Sequence, residues 1–274
     1  MTTAVAHPRL PSVLRLGVSR ARLELTQYFR QRDAVVFTFG YPLIMLVIFG
    51  SIFSGDVQDT NVPYVQYFTA GITATGVMSI GFQNTAVAIA SDRTDLAIKR
   101  LRGLPMPELS YFLGKLFAAL VEGALQTALL IACSVAFFHV HLPVNAENWF
   151  TLLWVFTLGL ATCAALGILL GGWVKDGRTA NAVTLPPFLI LQFVSGVFFP
   201  FNQLSPFLQS IGGLFPLKWM CQGLRSVFLP NEALVAEPSH SWQRPETAVV
   251  LAVWLIAALL LALRTFRWKE KYEK

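Results

Sequence analysis

Charge is scarce in this sequence. Only 13% of its 274 residues are Asp, Glu, Lys or Arg, against 55% that are hydrophobic, where a soluble domain carries about a quarter charged residues. A deficit of that size excludes an ordinary soluble domain and points to lipid as the main solvent. Cysteine is scarcer still. Cys133, Cys163 and Cys221 are odd in number and lie in or near apolar runs, which excludes a disulfide framework and a metal-ligand spacing. Catalytic motifs are missing too: no H-E-x-x-H, C-x-x-C or G-x-S-x-G occurs. The one Gly-Lys pair, Gly114–Lys115, lacks the leading glycine and following hydroxyl of a P-loop, so this chain does not bind ATP by that means. His139 and His141 stand two apart, on different faces of any helix, and read as loop residues. No cleavable signal peptide is expected, because the first apolar run begins only near Ala34 and no small-residue cleavage site follows it. No internal repeat, low-complexity tract or segment long enough for a second folded domain is visible.

What the sequence does contain is long apolar runs, with a mean hydropathy of +0.57. A membrane-crossing helix needs about 20 mostly apolar residues. Six stretches qualify: 34–53, 64–90, 111–138, 149–174, 183–200 and 246–266. The expected fold class is an all-α integral membrane protein, a single domain over 1–274. The net charge of +6 could point to nucleic acid, but the basic residues sit in short clusters between the apolar runs, as the loops of membrane proteins do. All but three of the 21 Lys and Arg fall on one side of the expected bundle; Lys218, Arg225 and Arg244 fall on the other. The positive-inside rule then predicts a multi-pass protein with both termini cytoplasmic, which requires an even number of spans.

Segment 201–230 is apolar enough to resemble a seventh span. Pro206, Gly212, Gly213 and Pro216 interrupt it, and Lys218 and Arg225 would lie in hydrocarbon. Two short re-entrant helices in the outer half of the membrane fit better. Ahead of the first span, 12–32 reads as an amphipathic helix. Leu14, Val18, Ala21, Leu25 and Tyr28 repeat at helical spacing among Arg15, Arg20, Arg22, Arg30 and Arg32. Such a helix would lie in the headgroup layer, its arginines meeting anionic lipid.

The stretch 91–115, SDRTDLAIKRLRGLPMPELSYFLGK, is charged and lies between two spans. A short helix here would carry Asp92 and Asp95 near its start and Lys99 and Arg100 toward its end, as the helix dipole prefers. Leu96, Ile98 and Leu101 give it apolar surface, and Pro105 and Pro107 stop it. It could transmit force from a docked soluble partner, or be an ordinary basic loop. The stretch resembles the loop after the second span in membrane subunits of bacterial type-2 ABC exporters, which commonly reads E-R-E-x-G-T-L-E-R-L-R-x-x-P before a Gly-Lys that opens the third span. Asp92–Arg93 matches the acidic-basic start, Leu96 the central leucine, Arg100–Leu101–Arg102 the R-L-R core, Pro105 the proline and Gly114–Lys115 the Gly-Lys. Asp95 and Lys99 depart from the pattern. A second stretch, 195–225, resembles the family's S-G-x-x-F-P segment after the fifth span, with the re-entrant pair following.

The resemblance implies that 92–104 is a coupling helix, with Asp92, Arg93, Asp95, Leu96, Lys99, Arg100, Leu101 and Arg102 meeting a separate ATP-binding subunit. It implies two copies of that subunit, which would hold ATP and Mg, and a homodimer or a heterodimer with a related permease. The setting would be the bacterial inner membrane, with lipid around the chain and no role for nucleic acid. The expected function is a permease exporting a hydrophobic drug-like or lipid substrate, with lipid-linked polysaccharide, or a non-ABC transporter or channel, as alternatives. A membrane-embedded enzyme would need convergent His, Asp or Glu residues at one membrane face, and no such cluster is visible.

Polar residues inside the spans carry two readings. Lys115, Glu122 and Gln126 share a helical face. They could line a substrate pathway, or Lys115 could snorkel to the interface while Glu122 bonds a neighbouring helix. Gln83 and Asn84 invite the same pair of readings. Gly159, Cys163, Gly167 and Gly171 recur every four residues, a ridge for close helix packing. Pro186 and Pro187 are expected to kink the fifth span or end its first turn.

Overall fold

A computed structural model describes residues 12–53, 55–57, 60–103 and 107–265. Among the described residues the regular structure is helical, apart from one isolated bridge between Asp56 and Pro63. The first helix, α1 (Val13–Arg30), starts where the Ser12 hydroxyl accepts the Arg15 amide. The chain turns at Gln31 and continues as α2 (Arg32–Ile52). After a short loop come α3 (Tyr64–Met78), a π-helical segment (Ser79–Asn84) and α4 (Thr85–Thr94), which follow one another without a break. A short α5 (Ala97–Arg102) leads to the long α6 (Glu108–Phe138) and α7 (Ala146–Trp173). Then follow α8 (Gly177–Val194), a pair of short helices, α9 (Pro206–Leu214) and α10 (Pro216–Phe228), and finally α11 (Arg244–Thr265).

Four of these, α2, α6, α7 and α11, are long and apolar enough to cross a membrane. They correspond to the runs at 34–53, 111–138, 149–174 and 246–266. The run at 64–90 is the α3–π–α4 rod. Every residue of α3 is buried, so this helix is the axis of the bundle and not part of its lipid-facing wall. Its polar groups are satisfied internally, as a site without water requires: Thr69, Thr73 and Thr75 each donate to the carbonyl four residues back. In contrast, α2 buries only Pro42 and Leu46 and presents Val36, Phe37, Ile44, Ile48 and Ile52 outward.

The fifth run is displaced from its expected place. The helix covers Gly177–Val194 rather than 183–200. It starts early because the Asp176 side chain caps Thr179. It stops early because the chain turns at Gly196, whose φ of +73° suits glycine. Pro186 and Pro187 do not end it; both lie inside the helix. Segment 201–230 forms two short helices as expected, α10 packing against α3, α7 and α11.

The small-residue ridge of α7 meets the α3–π–α4 rod. A Cβ on Gly81 would lie 2.6 Å from the Cys163 Cβ, and one on Gly167 would lie 2.7 Å from the carbonyl oxygens of both Gly81 and Phe82. The π turn therefore sits where two backbones touch. Even a methyl at position 167 must push backbone aside. Gly167→Ala should lower the melting temperature of the detergent-purified chain by several degrees, in line with about 1–3 kcal/mol for overpacking. Gly40→Ala, where a Cβ meets nothing within 4 Å, should leave it unchanged or raise it; equal melting temperatures for the two variants would refute the close-contact account.

Candidate functional site

The most densely charged interior site lies where α1, α4 and α6 meet. Arg20 and Glu24 stand one turn apart on α1, Asp92 is in the last turn of α4, and Tyr111 and Lys115 are one turn apart on α6. Lys115 Nζ is 2.7 Å from Glu24 Oε2 and 2.7 Å from Asp92 Oδ2. Arg20 Nη2 is 2.5 Å from Glu24 Oε1 and 3.3 Å from Asp92 Oδ2. Tyr111 donates its hydroxyl to the same Asp92 oxygen at 2.8 Å, and both cations lie over its ring, at 5.5 Å for Arg20 and 5.6 Å for Lys115. The four charged side chains are 5–17% exposed. Two cations and two carboxylates make a closed, neutral quartet, so none of these charges is left without a counter-charge.

Small residues make the approach possible. A Cβ on Gly114 would lie 2.5 Å from Arg20 Cγ, and one on Gly17 would lie 3.1 Å from Leu113 Cβ. The Gly-Lys pair thus works as a unit: the glycine admits α1, and the lysine binds it. Arg20 is a correction to the expectation that the α1 arginines all meet lipid headgroups. It turns inward between the buried Gly17 and Ala21, while Arg15, Arg22 and Arg30 are exposed.

The segment expected to form a coupling helix over 92–104 is built differently. Asp92 and Arg93 belong to α4, which ends at Thr94; Leu96 has a φ of 58°, and only Ala97–Arg102 forms the short helix. Asp92 and Asp95 therefore do not sit in that helix's first turn. Arg93 donates to the carbonyls of Gly172 and Val174, the end of α7 where carbonyls lack helical partners and a cation is favoured. Thr94 donates to Lys175 O at 3.4 Å. Asp92 and Arg93 thus root the segment, whereas Asp95, Leu96 and Arg100 are exposed and Leu101 is half-buried. The side chains of Lys99 and Arg102, and Pro105, lie outside the described residues. Close by, the exposed Asp176 carboxyl is held below its ordinary pKa, chiefly by the Thr179 backbone N–H.

The polar stripe on α6 faces into the protomer. Lys115, Glu122 and Gln126 are all buried. Gln126 donates to Thr38 O on α2 at 2.6 Å, in space that Gly76 leaves open. Asn84 donates to the Thr38 hydroxyl at 3.3 Å. Gln83 instead bonds Asn181 of α8 at 2.8 Å, at an exposed position. Arg20, Glu24 and Tyr111 were not among the expected site residues. The one sequence sign of them was the Arg20–Glu24 pair at i,i+4 flanked by Gly17 and Ala21.

A model of the ABC-2 type transporter family matches residues 20–229, well over half of the chain. The chain belongs to the ABC-2 type transporter family. It is also similar to the inner membrane transport permease YadH of Escherichia coli K12 and to the protein of the same name in Shigella flexneri. Each is 24% identical over 190 residues, covering 68% of this chain and 72% of the relative. This ABC-2 chain is accordingly a membrane subunit of an ABC transporter, a transport subunit whose family works with an ATP-binding subunit. The matched span includes the whole ion quartet and runs through α10.

Removing one member of the quartet strands a buried charge. Lys115→Met leaves one negative charge in excess and Glu24→Gln one positive, each expected to cost about 3–5 kcal/mol. The double variant restores neutrality through Arg20 and Asp92. Its melting temperature should therefore fall by clearly less than the sum of the two single losses; strict additivity would show that the charges do not interact.

Proposed function

We propose that this chain is the permease of an ABC exporter for a hydrophobic drug-like or lipid substrate, with the 92–104 segment as the contact through which a separate ATP-binding subunit drives it. The supporting observation is the division of that segment into a root and a tip. Asp92 and Arg93 tie it to α1, α6 and α7, and Asp95, Leu96 and Arg100 are left exposed for a partner. Displacement of the tip would be carried into the helices by bonds that leave little slack.

In this reading α2, the α3–π–α4 rod, α6, α7, α8 and α11 are six membrane passes, and α9 and α10 are the re-entrant pair in the outer half. Both termini lie in the cytoplasm of a bacterial cell. Two ATP-binding subunits hold ATP and Mg, and a second copy of this chain or a related permease completes the pathway. Gln83, with Asn181 beside it, is the polar group best placed to line that pathway. The burial of Lys115, Glu122 and Gln126 and the bond of Asn84 to Thr38 on α2 support a framework role for them. The lipid-like substrate class rests on the aromatic richness of the chain, 22 Phe and 7 Trp.

The test is co-purification from detergent of the permease with any P-loop ATPase encoded beside it. Wild type should retain the ATPase, and Arg100→Glu/Arg102→Glu should lose it or leave its activity unresponsive to the permease. Failure of any ATPase to associate with the wild type would overturn the reading. Reconstituted vesicles that export only glycan would overturn the substrate class alone.

A further inference from the structure

A proline inside a helix has no N–H, so the carbonyl four residues before it loses its donor. In α2, Pro42 frees the carbonyl of Thr38, and Gln126 of α6 donates to it at 2.6 Å. A freed carbonyl that faces protein is thus served by the neighbouring helix. In α8 two adjacent prolines, Pro186 and Pro187, lie inside the helix and free the carbonyls of Ala182 and Val183. Val183 loses more, because Pro186 also removes the donor that a tighter 3₁₀ turn would supply.

Substitutes for a lost donor in a membrane helix are few: a neighbouring helix, a Ser or Thr side chain, a local 3₁₀ or π adjustment, or water. The nearest hydroxyl, Thr184, is spent on the carbonyls of Ala180 and Asn181, at 2.8 and 3.2 Å. The helix is α from Gly177 to Val194, with no π turn. Among the described residues no other side chain donates to either freed carbonyl. Nor does a neighbouring helix cover them: Ala182, Val183, Pro186 and Pro187 are all exposed, so both carbonyls open on the bare side of α8. Water is the substitute that remains.

Two further features agree. Asn181, beside the freed carbonyls, bonds Gln83 at an exposed position, so polar side chains and bare carbonyls share the first half of α8. The second half exposes Leu189, Ile190 and Phe193 instead. The polar half is the one nearer the 92–104 segment, where Thr94 reaches Lys175 just ahead of α8. By composition, moreover, α8 is not among the four helices apolar enough to cross a membrane. We infer that the first half of α8 is the wall of a water-filled vestibule that opens beside the 92–104 segment, with the carbonyls of Ala182 and Val183 as its hydrogen-bond acceptors. The inference rests on the reading of α8 as a membrane pass. Its test needs neither an ATPase nor a substrate, so it can fail while co-purification succeeds, and the reverse.

The full chain carrying Cys133→Ser, whose remaining Cys163 and Cys221 are buried, is placed in lipid nanodiscs with Val183→Cys or Leu259→Cys. Val183 is 44% exposed and Leu259 of α11 43%. Each stands six residues from a helix end, at Gly177 and Thr265, and in the six-pass reading the two lie at the same depth. Both are treated with a charged methanethiosulfonate, and modification is read by intact mass against the same protein unfolded in dodecyl sulfate. Val183→Cys should react about tenfold faster than Leu259→Cys or more, because a charged reagent hardly enters hydrocarbon. Melting temperatures show whether each variant is folded, and Ala182→Cys takes the place of Val183→Cys if that one is not. Equal rates at the two positions overturn the inference. So does a cysteine on α8 that reacts only after unfolding, because lipid or a second copy of the chain then covers that face.

Discussion

A charge moved out of water into packed protein or lipid is costly unless a counter-charge meets it there, and most of the buried charges in this structure are arranged around that constraint. At the basic end, two cations and two carboxylates from three helices close into a quartet. At the other end, Arg225 is matched by Glu237, and Arg244 reaches Glu147 and Asn148 at the start of α7. Between them, side-chain amides on the π segment and α6 meet at Thr38. Apart from Arg20–Glu24 within α1 and Arg225–Glu237, these bonds join helices distant in sequence, so polar pairing fixes the relative positions of helices whose apolar surfaces alone would slide.

Close packing supplies the rest. Gly167 of α7 presses against the backbone of the π segment, and Gly171 meets α4 at the carbonyl of Ala86. At its lower end α4 hands Asp92 to the quartet and Arg93 to the last carbonyls of α7. The segment that begins at Asp92 is therefore not a loosely hung loop. It continues a rod that is in backbone contact with one neighbour and in ionic contact with two others.

The apolar runs were legible because burial in lipid leaves an unbroken compositional trace. Four of them became helices suited to crossing a membrane, and the interruptions by Pro206, Gly212 and Pro216 foretold two short helices in 201–230. Periodicity also located α1, yet it could not tell which arginine turns inward. The partners of Arg20 and Lys115 lie 72 and 91 residues away, and no local pattern encodes a pairing over that distance. The same holds for Asp92: a helix-dipole argument placed it at the start of a short helix, while its long-range partners hold it at the end of α4. The π segment left no compositional trace, and its place became evident only from the contact of Gly81 with Cys163.

The distance between Glu24 and Lys115 also has a meaning in time. At about 5–20 residues per second of synthesis, α1 is complete roughly 5–20 s before the lysine that neutralises it has been made. Until Asp92 is made, Arg20 and Glu24 have only each other within the quartet, and the helix needs a resting place that does not strand them in hydrocarbon. An amphipathic helix lying at a membrane surface has one. The docking of α1 onto α6 then marks the moment at which the third long helix has arrived, so the quartet doubles as a checkpoint in the order of assembly.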